Sequence, residues 1–275
     1  MIAYPEIDPV ALALGPLKIH WYGITYLVAF AGFWFFARLK SKQKHVNWTY
    51  EQIDDLLFYG ALGVVLGGRI GYTLFYNMAY FLQDPLILFQ VQKGGMSFHG
   101  GLLGVLFAMW LFARKSHKAF FSVTDFIAVM VPFGLAAGRI GNFINAELWG
   151  RPTDLPWAMI FPTDPLALPR HPSMLYEFLL EGVLLFIILW FYSSKARPRK
   201  AISGVFLILY SVFRSVVEFV RQPDAHMGNK GFIAMDWLTM GMILSLPMFL
   251  LGVYLLWSSL KVTNQQNTLA DERGN

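Results

Sequence analysis

The sequence predicts an all-α polytopic membrane protein with seven transmembrane helices, its N-terminus outside and its C-terminus in the cytoplasm. Of its 275 residues, 56% are hydrophobic and only 14% are charged, whereas a soluble domain carries closer to a quarter charged residues. The apolar residues form long blocks separated by short basic loops, which is typical of a multi-span helical protein. The formal net charge of +5 therefore reflects the basic residues of cytoplasmic loops rather than nucleic-acid binding.

Seven segments are apolar enough to cross roughly 30 Å of hydrocarbon. In chain order they are residues 19–37, 56–76, 99–113, 126–142, 175–192, 204–220 and 236–257. Glycine and proline interrupt the third and fourth, and we expect Pro132 to kink the fourth. The longest stretch between spans, about residues 143–172, contains six prolines. We therefore expect an irregular periplasmic cap, inserted between spans four and five of a single membrane domain, 1–275.

Basic residues set the predicted orientation. Thirteen lysines and arginines lie in the loops after spans one, three and five and in the C-terminal tail, whereas six lie in the loops on the opposite side. The positive-inside rule therefore places the N-terminus outside. Arg69, Arg139 and Arg214 lie toward the outer ends of spans two, four and six. Because the orientation is derived from the loops alone, this convergence independently predicts one polar site that opens toward the outer leaflet.

The most unusual polar run is GRIGNFINAELWG at residues 138–150, which follows an apolar span. It places Arg139, Asn142 and Glu147 among glycines and large apolar side chains. A charge at membrane depth costs roughly 2.5–3.5 kcal/mol on insertion scales, so it generally has a partner or a functional role. The guanidinium of Arg139 offers a fork of donors that matches phosphate or carboxylate. Two interpretations are open: a phosphate site, or a structural ion pair of Arg139 with Glu147 or Glu177.

Span six carries a second arginine within a regular polar pattern. Tyr210, Arg214 and Glu218 recur every four residues, which places them on one face of a helix. Mutual neutralisation of Arg214 and Glu218 explains that pair by itself. Two arginines directed toward the same outer cavity, however, favour a phosphate ester carried by a lipid.

A glycine frame surrounds a histidine in GGMSFHGG, residues 94–101. Such a backbone can bend within the membrane only where protein or water satisfies its polar groups. The neutral imidazole of His99 can accept or donate a proton near physiological pH, which suits general acid–base catalysis. The alternative is a histidine whose ring is satisfied by a carbonyl at a helix start. Cysteine is absent, so any thiol in the chemistry belongs to a substrate.

Six motif blocks follow one another over nearly the whole chain. They are HWYG (20–23), GGRIGYTLFYN (67–77), GGMSFHGG (94–101), GRIGNFINAELWGR (138–151), RHPSMLYE (170–177) and YSVFRSVVEFVRQPD (210–224). Together they resemble the motifs of the bacterial prolipoprotein diacylglyceryl transferases. The block at 138–151 is highly specific, whereas the outer loop at about 153–168 resembles the family least.

The resemblance implies a multi-pass enzyme of the bacterial inner membrane with its active site toward the outer leaflet. Such an enzyme transfers the diacylglyceryl group from phosphatidylglycerol to the lipobox cysteine thiol of a prolipoprotein and releases glycerol phosphate, in the first step of lipoprotein maturation. The implied partners are phosphatidylglycerol, prolipoproteins with a lipobox cysteine, and membrane lipids. The resemblance implies no metal or organic cofactor, and the sequence contains no visible metal-ligand cluster.

Matched position by position, the resemblance also implies which residues form the site. The implied catalytic residues are Tyr22, His99, Arg139, Glu147 and Arg214. The implied phosphatidylglycerol-binding residues are Arg139, Asn142, Gly150, Tyr210 and Arg214. The two arginines suit the leaving phosphate, and His99 is the expected base for a thiol with an intrinsic pKa of about 8.5. An arginine field that lowers this thiol pKa is the alternative to a base.

Two other function classes share some of these features. A lipid or anion transporter, or a flippase, also carries buried arginine and glutamate. Its polar groups are expected to continue into the cytoplasmic half of the membrane, where the spans here are almost uniformly apolar. An intramembrane serine protease is disfavoured, because Ser97 and His99 are two residues apart and the sequence has no Gly-x-Ser-x-Gly elbow.

Overall fold

The computed structural model describes residues 2–15, 17–89, 94–223 and 238–274 and is mostly helical over them. The strands are β1 (Ile2–Ala3), β2 (Val10–Leu14), β3 (Leu17–His20), β4 (Met159–Ile160) and β5 (Pro169–Arg170). The α-helices are α1 (Trp21–Ser41), α2 (Tyr50–Tyr76), α3 (Met78–Gln83), α4 (Phe98–Lys115), α5 (Phe120–Ala128), α6 (Val131–Ile144), α7 (Ser173–Glu177), α8 (Leu185–Tyr192), α9 (Ala201–Glu218) and α10 (Met240–Gly274). A short 3-10 helix covers Pro85–Phe89, and a π-helical segment, Phe178–Leu184, joins α7 to α8.

Within the described residues, five helical stretches are long and apolar enough to cross a membrane. They are Trp21–Ser41, Tyr50–Tyr76, Ser173–Tyr192, Ala201–Glu218 and Met240–Lys261. The consecutive helices α5 and α6, which are bent by 47° at their break, add a sixth if they form one span. These helices confirm an all-α polytopic membrane protein. The seventh predicted span corresponds to α10, although its first two residues, 236–237, lie outside the described residues.

The predicted third span corresponds to α4, which is less apolar than these stretches of the described residues. The helix itself is continuous over Phe98–Lys115. His99 near its start and Arg114 and Lys115 in its last turn reduce its apolar character. Seven spans and the orientation of the termini therefore stay predictions.

Two helix starts differ from the predicted span boundaries for local reasons. Helix α2 begins before residue 56 because Thr49 and Gln52 form a capping box: Gln52 N donates to Thr49 Oγ1 at 3.2 Å, and Thr49 N donates to Gln52 Oε1 at 3.3 Å. The predicted disruption at Pro132 takes the form of a new helix start. Pro132 lies in the first turn of α6, where a missing backbone N–H carries no penalty.

The chain divides into two compact units, Met1–Phe36 with Asp125–Asn275, and Ala37–Thr124. In the first unit α9 packs on α10, and a Cβ at Gly204 would lie 2.9 Å from the Gly252 carbonyl oxygen. In the second unit α2 packs on α4, and a Cβ at Gly67 would lie 2.4 Å from the Gly100 carbonyl oxygen. Close backbone contact through small residues is a common way for helices to associate in lipid.

The stretch at 143–172 is largely irregular, and its strands are two residues long. Strand β4 pairs parallel with β1 and antiparallel with β5, so the N-terminal residues complete a three-stranded sheet. A small apolar core of Ala146, Met159, Phe161 and Met174 joins β4 to the start of α7. The sheet and this core hold together the chain between α6 and α7.

Candidate functional site

Two arginines from different helices share one buried carboxylate. Arg139 lies in the C-terminal half of α6, Arg214 in the C-terminal half of α9, and Glu177 at the end of α7. The Nε of Arg139 lies 2.8 Å from Glu177 Oε2, and the Nη1 of Arg214 lies 2.7 Å from Glu177 Oε1. The Glu177 side chain is fully buried, whereas those of Arg139 and Arg214 are 18% and 13% exposed. Glu177 therefore holds two guanidinium groups close together while part of each is accessible.

A second buried carboxylate, Glu181, contacts the same two arginines from the π-helical segment. Its Oε2 lies 3.4 Å from Arg139 Nη2, and its Oε1 lies 3.8 Å from Arg214 Nη1. Both distances are longer than the contacts of Glu177 with the same arginines, which are 2.8 and 2.7 Å. π-Helical turns are rare in proteins, and those that occur often lie at functional sites. Here Gly182 lets the segment pack against α6, since a Cβ at Gly182 would lie 2.6 Å from the Cβ of Ala136.

The carboxylate of Glu218 closes the other side of Arg214. Arg214 Nη2 lies 2.6 Å from Glu218 Oε1, which confirms the pairing that the i,i+4 spacing suggested. Arg221 Nη1 lies 3.3 Å from the same oxygen. Thr239, just before α10, donates its hydroxyl to Glu218 Oε2 at 2.7 Å. Glu218 is thus a structural partner of the two cations on α9 and at its end.

These six side chains form a network that is balanced in formal charge. The arginine–glutamate network consists of Arg139, Arg214, Arg221, Glu177, Glu181 and Glu218. Removing one partner of a buried ion pair typically costs about 3–5 kcal/mol, because the remaining charge is left uncompensated. The balance of three cations and three carboxylates therefore explains how six ionisable groups persist in apolar helices.

Asn142 and Glu147 form a polar pair next to Arg139. Asn142 Nδ2 donates to Glu147 Oε1 at 2.8 Å, and Arg139 Nη1 donates to Asn142 Oδ1 at 3.4 Å. Ala146 and Leu148 flank Glu147 with φ angles of 53° and 59°, in the left-handed region that costs non-glycine residues roughly 1–2 kcal/mol. This strained backbone turns Glu147 back toward α6, where Asn142 connects it to Arg139. The predicted ion pair of Arg139 is therefore made with Glu177 and Glu181, while Glu147 is reached through Asn142.

Tyr22, in the first turn of α1, lies against α6 beside this pair. A Cβ at Gly141 would come within 2.9 Å of Tyr22 Cδ2, so the ring packs directly on the α6 backbone. The Tyr22 side chain interacts with those of Asn142 and Glu147. Its ring also makes an edge contact with Tyr26, with centroids 5.3 Å apart.

Gly150 and Tyr210 complete the set in the first unit. A Cβ at Gly150 would lie 2.5 Å from the Val220 carbonyl oxygen and 2.7 Å from His171 Cβ, so only glycine fits where these backbones meet. Tyr210 is half-buried on α9, stacks on Phe206 with ring centroids 5.9 Å apart, and interacts electrostatically with Glu181. The structure thus brings most of the sequence-predicted site together: Tyr22, Arg139, Asn142, Glu147, Tyr210 and Arg214, with Gly150 as a packing point of the adjoining loop.

His99 belongs to the second unit. It lies in the first turn of α4 and is exposed, and its ring makes an edge contact with Phe98 at 5.6 Å between centroids. Ser97 caps the helix, since its Oγ accepts a hydrogen bond from Gly100 N at 3.2 Å. Ser97 therefore has a structural role, and the assignment of His99 to the site stays a prediction from the sequence.

One ion pair in the loop at 143–172 had no sequence signal. Arg170 and Asp164 are both buried, with Arg170 Nε 2.6 Å from Asp164 Oδ2 and Nη2 3.0 Å from Oδ1. The hydrogen bonds from Arg170 hold the pKa of Asp164 below its usual range. The guanidinium also lies 3.9 Å from the centre of the Trp149 ring and donates to Gln222. This pair ties the loop to the end of α9, beside Gly150.

The helices and this network define a class: a polytopic α-helical membrane protein with a charged site built into its spanning helices. Within residues 2–15, 17–89, 94–223 and 238–274, no group of three or more His, Asp or Glu side chains is arranged to hold a metal ion. The site therefore offers guanidinium, carboxylate, amide and phenol groups to a ligand.

Comparison with known proteins places the chain within this class. The family model of prolipoprotein diacylglyceryl transferase matches residues 9–258. A phosphatidylglycerol–prolipoprotein diacylglyceryl transferase from Azotobacter vinelandii is 60% identical over 252 residues, which cover 92% of this chain and 94% of the relative. A protein of the same name from Coxiella burnetii is 58% identical over 257 residues, covering 94% of this chain and 97% of the relative. The chain belongs to the prolipoprotein diacylglyceryl transferase family, and the transporter interpretation is not favoured.

Proposed function

We propose that this chain transfers the diacylglyceryl group of phosphatidylglycerol to the lipobox cysteine thiol of prolipoproteins and releases glycerol phosphate. The names of its relatives supply the donor lipid and the acceptor protein. The observation that carries the proposal is the pair of Arg139 and Arg214, held on one buried carboxylate within apolar helices and still partly accessible. Such a pair suits the phosphate of a lipid headgroup at membrane depth.

The chemistry requires charge stabilisation at the phosphate. The cysteine sulfur forms a bond to the diacylglyceryl carbon, the bond from that carbon to the phosphate oxygen breaks, and this oxygen keeps the electron pair. Preorganised donors in a water-poor site stabilise such developing charge strongly. We assign this role to Arg139 and Arg214. Asn142, Tyr210 and Gly150 are assigned to the binding of the phosphatidylglycerol headgroup.

The substrate thiol must also lose its proton. We assign His99 as the base, because a neutral imidazole accepts a proton near neutral pH. Glu147 and the arginine field, which lowers the thiol pKa, are the alternatives. Tyr22 completes the catalytic set through its interactions with Asn142 and Glu147.

We further propose the membrane arrangement that this reaction needs. Helix α4 and the bent pair α5–α6 act as the third and fourth of seven spans in one membrane domain, 1–275, of the bacterial inner membrane. The N-terminus lies outside, the C-terminus in the cytoplasm, and the cap at 143–172 in the periplasm, so that the site opens to the outer leaflet. The excess of basic residues in the loops after spans one, three and five supports this orientation.

Single-cysteine labelling tests the arrangement, because the chain has no native cysteine. We expect Lys42→Cys, Lys115→Cys and Arg197→Cys to react only with a reagent that reaches the cytoplasm. We expect Thr153→Cys to react from outside. A label on the wrong side would remove a span from the proposed arrangement.

A reconstituted assay tests the activity itself. The purified chain, phosphatidylglycerol and a lipobox peptide are expected to yield a thioether-linked lipopeptide and glycerol phosphate in equal amounts. The matched control is the same peptide with serine in place of cysteine, which is expected to give no product because an alcohol is far less readily deprotonated than a thiol. Absence of product with the cysteine peptide, from protein that is folded and inserted, would overturn the proposal.

A further inference from the structure

Glu181 is a buried carboxylate that the proposed chemistry leaves without a role. Its side chain is fully buried, and its contacts with Arg139 and Arg214 are 3.4 and 3.8 Å long. Glu177 contacts the same arginines at 2.8 and 2.7 Å. Among the described residues, Glu181 Oε1 and Glu177 Oε2 are both buried without a hydrogen-bond partner, so the lengths of the ion pairs are what distinguish the two carboxylates. Glu181 is therefore the carboxylate that these two arginines hold less closely.

The charge balance of the arginine–glutamate network changes when an anion binds. With three arginines and three glutamates the network is formally neutral before a ligand enters. A phosphodiester headgroup adds one negative charge, and an uncompensated charge in such surroundings costs several kcal/mol. The arginines must also turn donors toward the phosphate, and the long contacts to Glu181 are the ones most easily given up. Neutralising Glu181 restores the charge balance and frees the guanidinium donors that Glu181 contacts.

We infer that Glu181 takes up one proton from solvent when an anionic phosphate headgroup binds to Arg139 and Arg214, and returns it when glycerol phosphate leaves. The inference rests on the proposed function, since it assumes that the phosphate of phosphatidylglycerol binds at these arginines. Glu181 acts through the two guanidinium groups and not on the reacting atoms, so it is a positioning residue that keeps the site neutral.

The groups that surround Glu181 are less suited than Glu181 to take up the proton. Arg139 faces it from α6, Glu177 from α7, and Arg214 and Tyr210 from α9, while α8 contributes only apolar side chains and Tyr192. Arginine side chains stay protonated throughout, and a neutral phenol does not accept a further proton near neutral pH. Glu177 makes the two short ion pairs that hold Arg139 and Arg214 together, so a proton on Glu177 would disrupt more contacts than one on Glu181.

Calorimetry on the whole protein measures this uptake directly. Short-chain phosphatidylglycerol is titrated into the purified protein in an uncharged detergent, near neutral pH, in buffers with different heats of ionisation. We expect uptake of close to one proton per bound lipid. We also expect the apparent Kd to rise by up to about tenfold per pH unit over the range in which uptake occurs.

Three variants assign the proton. Glu181→Gln is expected to bind the lipid with no proton uptake and a nearly flat dependence of Kd on pH. His99→Gln and Asp125→Asn are expected to keep the uptake. Asp125 is the matched control because it is a buried carboxylate that caps the start of α9 through Ser203 N at 2.8 Å, outside the network. Uptake that survives in Glu181→Gln, or that disappears in His99→Gln, would overturn the inference.

A measurement on the unmodified protein does not depend on how any variant folds. Difference infrared spectroscopy is expected to show a new protonated-carboxyl C=O absorption when phosphatidylglycerol binds, and its absence would overturn the inference. Turnover is measured on the same preparation. Lipid binding and turnover without proton uptake would refute the role of Glu181 alone, whereas failure to bind or convert the lipid would refute the proposed function as well.

Discussion

The tetrapeptide Gly-Arg-Ile-Gly occurs twice, at 68–71 and 138–141, and its two arginines have different surroundings. Arg69 is 4% exposed and donates to the backbone carbonyls of Leu88, Gly94 and Gly95. Arg139 is more accessible and contacts the carboxylates of Glu177 and Glu181. The local sequence thus favours a buried cation in both places, while its chemical use is decided by the groups that packing brings to it.

The difference lies in what the partners can do. Backbone carbonyls carry no net charge, so the contacts of Arg69 fix the glycine-rich segment that leads to α4. A separate hydrogen bond from Ser97 N to Gly68 O, at 2.9 Å, holds the end of this segment on α2. Carboxylates are charged and can release a guanidinium, or take a proton, when another anion arrives. We therefore interpret Arg69 as a structural cation and Arg139 as a binding one.

The largest expected change in stability comes from removing the carboxylate that Arg139 and Arg214 share. Glu177→Gln leaves both guanidinium groups short of a partner inside apolar helices, so we expect a loss of about 3–5 kcal/mol in stability. Thermal unfolding of the purified protein in detergent measures it. Glu181→Gln is the matched variant and is expected to lose less, because its contacts are longer. An equal or larger loss for Glu181→Gln would contradict the ranking of the two carboxylates.

The second prediction concerns His99, which follows the segment held by Arg69. If His99 is the base, His99→Gln should lower turnover by about a hundredfold or more near neutral pH. Glutamine cannot accept the thiol proton, so activity relative to the parent protein should partly recover as the pH approaches the free thiol pKa of about 8.5. Turnover measured between about pH 6.5 and about pH 9 checks this. A flat ratio would pass the role to the arginine field or to Glu147.

A third buried arginine, Arg170, provides a smaller test outside the membrane-spanning helices. Because Arg170 lowers the pKa of Asp164, the pair contributes stability that is fully present above the ordinary carboxyl pKa of about 3.9. It is lost as the pH falls from there through the lowered pKa of Asp164. We expect Asp164→Asn to cost about 1–3 kcal/mol at neutral pH and the difference from the parent protein to close in acid. A difference that is independent of pH would show that packing, not charge, dominates.

The sequence predicted the arginines well and their partners less well. A cation in an apolar segment is visible from composition alone, and a spacing of four residues was enough to pair Arg214 with Glu218. No spacing rule reveals that Glu177 bridges two helices, because this depends on how Gly182 lets the π-helical segment pack against α6. The pairing of Asp164 with Arg170 likewise depends on a fold of the cap that its prolines do not specify.

The span boundaries also divide into those that hydropathy sets and those that local capping or proline effects set. The five apolar stretches found among the described residues were predicted to within four residues at each end except the start of α2, since hydropathy dominates there. The start of α2 depended on the Thr49 capping box, and the break before Pro132 divided one predicted span into two helices. Capping and proline effects are local, so the sequence itself contains the signal for both: Thr49 and Gln52 at the spacing of a capping box, and Pro132 at a helix start.

Turnover of Arg139→Lys beside Arg69→Lys tests the central claim most directly. Lysine keeps the charge and loses the planar fork, so Arg139→Lys should lose about a hundredfold or more in kcat/KM for phosphatidylglycerol while inserting and unfolding nearly as the parent does. Arg69→Lys should stay within about tenfold, equivalent to about 1.4 kcal/mol, and should show its main effect in thermal stability. Near-native turnover of Arg139→Lys, or an equal loss in both variants, would contradict the assignment of Arg139 as the phosphate-binding cation.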